Sequence, residues 1–65
     1  MEKERIRQAI RTGCERKDWS VMDLASRSQV SPEAIRRFIS GRGEISTRVI
    51  VRLLQALGID IKSLR

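Results

Sequence analysis

Residues 20–41 read SVMDLASRSQVSPEAIRRFISG, and within them two short helical patterns meet at a turn. In the second pattern Ser31 suits an N-cap. Pro32 suits the first helical position because it has no N–H to leave unpaired, and Glu33 favours the positive end of the helix dipole. Ile35, Phe38 and Ile39 fall at i, i+3 and i+4 and share one apolar face, which leaves Pro32, Glu33, Arg36, Arg37 and Ser40 on the others. The first pattern opens on Ser20 as cap, with Asp23 three residues on as a weak capping-box analogue, and buries Val21, Leu24 and Ala25. Ser28, Gln29 and Val30 are read as the connector. Ala25 matters by its size, because a larger side chain inside so tight a pair would push the two helix axes apart.

The flanks supply the rest of a core. A helix over residues 2–17 carries Ile6, Ala9, Ile10, Gly13 and Cys14 as a stripe at helical spacing. Gly13 in that stripe costs about 1 kcal/mol relative to alanine unless a neighbouring helix needs the missing side chain, and close packing is the expected reason for it. Cys14 on the same stripe reads as a small buried hydrophobe, and Trp19, at the junction before the second helix, as a lid on the core. After Ser40, Gly41-Arg42-Gly43 makes a turn. A last helix starts at Ser46 or Thr47 and ends at Gly58, burying Val49, Ile50, Leu53, Leu54 and Leu57. The final residues have room for about one helical turn, and their Ile59, Ile61 and Leu64 either cover the core or meet a second subunit. No strand alternation, repeat or linker is visible. The expected architecture is all-α, a compact four- to five-helix bundle built around the helix-turn-helix.

Sixty-five residues are expected to form one domain, residues 1–65, of thin stability, since a chain of this size buries only about 60% of its extended surface. Dimerisation would bury more. One cysteine allows no internal disulfide, and with no histidine the chain cannot assemble a cysteine–histidine catalytic pair or a dedicated zinc site. No metal or cofactor is expected, nor is an enzyme, because the carboxylates are scattered and the chain is too short for a deep pocket. With no secretion signal and no run of about 20 apolar residues, the expectation is a soluble, cytoplasmic protein without membrane contact. The net charge is +6, and eleven of the fourteen basic residues are arginine, the side chain suited to bidentate contact with phosphate and guanine. Residues 26–52 carry net +4, whereas the remainder holds six of the eight acids. Net charge alone fits a solvated surface equally well, but concentrated on the motif it is the electrostatic footprint of a nucleic-acid binder.

From residue 19 to 61 the sequence resembles the phage repressor and Cro type of helix-turn-helix domain, the xenobiotic-response-element family. The resemblance is carried by Leu24-Ala25, Val30-Ser31, Ile35 and Phe38, Ser40-Gly41-Arg42, and the run STRVIVRLLQALGI over residues 46–59. It implies a lambda-repressor-like bundle, commonly a dimer on a near-palindromic operator. Three positions depart from the family's habit. Gln29 stands where glycine is usual and adds roughly 1 kcal/mol of strain if the turn stays left-handed. Val21 replaces a glutamine that often anchors to phosphate. Ile39 replaces an acid that often pairs with a basic residue of the first helix, which suggests that packing has taken over.

Carried over by position, the resemblance makes Ser31, Pro32, Glu33, Arg36, Arg37 and Ser40 the candidates to face the major groove of double-stranded DNA. Arg37 is the first choice for a bidentate contact to guanine, with Arg36 reading a neighbouring base or gripping a phosphate. Glu33 either accepts from a cytosine amino group or orients Arg36 or Arg37 across one turn. Pro32 offers apolar contact. Arg42, Arg48 and the helix-start amides near Ser46 and Thr47 suit phosphate, as does Arg27 at the edge. Val51, Ile59, Ile61 and Leu64 form the expected homodimer or partner surface. No effector domain follows within these residues, so a small dimeric repressor regulated by its concentration, its dimerisation or a partner is the expected function. An antitoxin- or adaptor-type interaction protein is the rival. RNA recognition is disfavoured, since only Trp19 and Phe38 are aromatic and Phe38 is expected in the core.

Overall fold

The computed structural model describes residues 3–60 and 62. Four helices follow one another: α1 (Lys3–Lys17), α2 (Val21–Ser28), α3 (Pro32–Ile39) and α4 (Thr47–Leu57). No strand and no fifth α-helix occurs among the described residues, so the lower of the two expected helix counts applies to them. Each helix turns its apolar stripe to one shared interior: Ile6 and Ile10 from α1, Leu24 and Ala25 from α2, Ile35 and Phe38 from α3, and Ile50, Leu53, Leu54 and Leu57 from α4. α4 packs on α1 and α2, and both of these also hold α3. Four short, individually marginal helices are thereby made mutually dependent.

The helix ends explain the segmentation. At the start of α2, Ser20 Oγ accepts from the Asp23 N–H at 3.2 Å and Asp23 Oδ2 accepts from the Ser20 N–H at 2.9 Å. This is a complete capping box rather than a weak analogue of one. The Ser20 backbone and hydroxyl bonds, assisted by the charge of Arg27, hold the Asp23 carboxyl below its usual range. The stabilisation it gives is therefore present above the ordinary carboxylate pKa and is lost as pH falls through the depressed one. Ser31 occupies the N-cap position of α3, but its side chain makes no capping bond. Pro32 at the first helical position and Glu33 in the first turn remain as the start signals there. The connector is also shorter than the sequence suggests. Ser28 is the last residue of α2 and is buried, its hydroxyl donating to the Leu24 carbonyl at 2.7 Å, so burial of its polar group is satisfied within the helix.

Three helices end on a left-handed residue: Asp18 (φ 56°), Gln29 (φ 59°) and Gly58 (φ 72°). In each case the next N–H reaches back, from Trp19 to Cys14 O at 2.9 Å, Val30 to Ala25 O at 3.2 Å and Ile59 to Leu54 O at 2.9 Å. Gln29 thus keeps the backbone of the glycine it replaces. Gln29→Gly is expected to stabilise the fold by about 0.5 kcal/mol, net of the freedom it adds to the unfolded chain. That corresponds to a thermal midpoint raised by about 2–4 °C. A lowered midpoint would mean that the glutamine side chain holds the turn by some contact of its own.

Gly13 is a close-packing glycine, as expected. A Cβ there would lie 3.2 Å from side-chain carbons of both Leu57 and Ile59. Cys14 is half-buried against the core, and burial pushes its thiol pKa up, in keeping with a small hydrophobe. Trp19 likewise lies half-buried on the core's edge. Val21, in the place of the family's glutamine, packs on that core as well.

Candidate nucleic-acid interface

α3 has two unlike faces. Ile35 and Phe38 are 0% and 1% exposed, whereas Glu33, Arg36 and Arg37 stand in solvent. Among the described residues, no ion pair joins Glu33 to either arginine. Pro32 is half-buried beside them, and Ser31 is exposed at the helix start with its hydroxyl uncommitted to the cap.

The other end of α3 is organised around one carbonyl. The Arg37 oxygen accepts from Ser40 Oγ at 3.1 Å, from the Arg42 N–H at 2.9 Å and from the Gly43 N–H at 3.2 Å. Gly41 supplies the left-handed conformation that folds the chain back (φ 79°), and a Cβ on Gly43 would lie 3.2 Å from that of Arg37. This pins the backbone of exposed Arg42 to the turn that carries Arg37. α4 then starts with Ser46, whose Oγ accepts from the Val49 N–H at 3.3 Å. Thr47 and Arg48 are exposed in a first turn that holds no acid, so the positive end of that helix dipole is uncompensated by the chain.

Two functional-site residues escaped the sequence reading. From α1, Arg7 Nε donates to Phe38 O at 2.7 Å and Arg11 Nη2 donates to Ile39 O. The Arg7 guanidinium also lies 5.1 Å from the Phe38 ring centre. These are the orphan carbonyls at the C-terminal end of α3, where the dipole favours cations. The absence of an acid at residue 39 is therefore met by more than packing: Ile39 is half-buried, and the basic partner on α1 has moved from a side chain to the backbone. Partners 31 and 28 residues apart leave no local pattern to read.

Two acids, Glu44 and Glu4, are engaged by cations of α1. Glu44 pairs with Lys3, whose hydrogen bond and charge hold the Glu44 carboxyl below its ordinary pKa. Glu4 lies 3.5 Å from Arg7 and 3.8 Å from Arg11. Among the described residues no ion pair engages Arg36, Arg37, Arg42 or Arg48, which therefore keep their full positive potential towards solvent. Arg27 is differently placed. Its guanidinium stacks 4.6 Å from the Trp19 ring centre, with Lys17 at 5.2 Å from the same ring.

Val51 and Ile59 do come together, lining a groove of about 150 Å³ with Leu54 and Gln55. Ile61 and Leu64 lie outside the described residues. No helix is long and apolar enough to cross a membrane, and no cluster of metal-ligating side chains occurs among the described residues.

A compact all-helical bundle with an arginine-bearing second motif helix defines a helix-turn-helix domain. The helix-turn-helix family model matches residues 10–64, and the chain belongs to that family of Cro-type DNA-binding domains. It is also 32% identical over 57 residues to multiprotein-bridging factor 1 of Schizosaccharomyces pombe, a match that takes in 88% of this chain and 38% of that protein. The chain thus spans well under half the length of this relative. No solved structure matches the chain.

Proposed function

We propose that the chain reads double-stranded DNA in a sequence-specific manner, as a dimeric repressor on a near-palindromic operator. The observation that carries this reading is the division of α3 into a fully buried apolar face and an exposed face bearing Arg36 and Arg37 without intramolecular partners. A helix so divided fits the major groove with its polar face towards the bases. In this reading Arg37 contacts guanine, Arg36 a neighbouring base or phosphate, and Ser31, Pro32, Glu33 and Ser40 complete the base-facing set. Arg42, Arg48, Ser46 and Thr47 hold phosphates, with Arg27 at the edge. Ser46 Oγ accepts from its own helix and keeps its O–H to donate. The reading includes no catalytic step.

Selection of bound sequences from a random duplex library at about physiological salt tests it. Specific affinity is expected to exceed non-specific affinity by at least about a thousandfold, with half-sites about one helical turn apart. Recovery of no motif would overturn the sequence-reading role.

A second reading, an adaptor that binds a protein partner, is favoured by the relative's printed name and by the small groove between Val51 and Ile59. A pure adaptor would show no salt-sensitive DNA affinity.

A further inference from the structure

On a different side of the molecule, α1 and the end of α4 enclose an open groove of about 650 Å³. Arg5, Gln8, Ala9, Thr12 and Arg16 line it from α1, a spacing of i, i+3, i+4, i+7 and i+11 that makes one helix face. At 3.6 residues per turn, this face lies roughly 140° around α1 from Arg7 and Arg11, which hold α3. The floor is Gly13, Leu57 and Ile59, and the missing Cβ of Gly13 is what lets the floor come so close to α1. Arg5 stands at one end and Arg16 and Lys17 at the other, about 16 Å apart along the helix. All three are exposed, no acid lines the groove, and no ion pair engages them among the described residues.

We infer that this groove binds an acidic amphipathic helix of a partner protein, with carboxylates at both ends and an apolar face between them. Charge complementarity selects acids, and the separation of the cations selects an occupant of about three helical turns, which a small organic anion does not span. A nucleic acid would meet Gln8, Ala9 and Thr12 over an aliphatic floor between the cations, with no aromatic lining to stack a base. Residues 61–65 carry Lys62 and Arg65 and no acidic side chain, so their sequence lacks the charge that the rim selects. The inference is independent of DNA binding by α3.

The test is fluorescence anisotropy of a labelled synthetic peptide of about fourteen residues, about 21 Å as a helix. It carries glutamates at both ends and leucines on a central face. Saturable binding is expected, together with loss of binding when lysines replace the glutamates. Arg5→Glu with Arg16→Glu is expected to weaken binding at least about tenfold. Arg36→Glu with Arg48→Glu makes the same change in net charge away from the groove and is expected to leave peptide affinity within about twofold. Circular dichroism establishes that both variants fold. Equal weakening by the two pairs would reduce the effect to net charge and overturn the site, as would absence of binding to the folded wild-type chain. A wild-type dimer in sedimentation that dissociates on Ala9→Arg would assign the groove to a second copy and overturn the inference equally. Failure here leaves the duplex selection untouched, and failure there leaves this titration untouched.

Discussion

Phe38→Ala is expected to lower stability by about 3–5 kcal/mol, the usual range for deleting a fully buried aromatic side chain. Phe38 is 1% exposed and is among the largest fully buried side chains of the core. It faces α3's buried side, its carbonyl receives Arg7 and its ring lies beneath the same guanidinium. One truncation therefore opens a cavity and removes the ring beneath the Arg7 guanidinium, while the carbonyl that accepts from Arg7 remains. A total stability of about 0.05–0.15 kcal/mol per residue gives a domain of this size only about 3–10 kcal/mol, so the loss takes a large share of it. Urea unfolding followed by Trp19 fluorescence is expected to show a transition moved to much lower urea, with the unfolding free energy reduced by that amount. A midpoint shifted by less than about 1 kcal/mol would mean that the bundle closes over the gap, and that α3 is held chiefly by its ends.

Arg37→Ala is expected to leave stability nearly unchanged, because the side chain is exposed and without an ion pair. On the selected operator it is expected to cost about 1–3 kcal/mol and to relax preference at one base pair. Arg42→Ala serves as the contrast: it is expected to weaken all sequences alike and to reduce the salt slope by about one unit. The two residues share a carbonyl-centred turn, so any distortion of that turn would affect both in the same manner. Equal losses across cognate and random duplexes for the two variants would refute the separation of base reading from phosphate contact.

Much of this architecture was legible in the sequence because its signals are local. Ser20, Pro32, Ser46 and Gly58 mark helix ends within one turn of where they act. The stripes of Ile35 and Phe38, or of Ile50, Leu53, Leu54 and Leu57, fix which face turns inward. The candidate contacts on α3 follow from the same periodicity, since what the core does not take is left for a partner. The illegible parts depend on side chains that choose between distant acceptors. Arg7 and Arg11 look like solvated cations on a charged helix, and only the docking of α1 beside α3 gives them carbonyls to meet. Ser28 reads as a loop residue until its hydroxyl is seen to bond within the preceding turn. Asp18 takes a left-handed backbone at the end of α1, just ahead of Trp19 on the core's edge, where no glycine marks the turn.

The side chains of Glu33, Arg36 and Arg37 make no hydrogen bond, ion pair or ring contact within the described chain. Beyond the helix-dipole contribution of their charges, the fold therefore has little stake in what they are. Polar replacements there change stability by about ±0.5 kcal/mol or less. If α3 reads bases as proposed, a lineage carrying this scaffold can rewrite its binding preference one position at a time, without passing through an unstable intermediate. The buried half of α3 behaves as a fixed mount and the exposed half as interchangeable type.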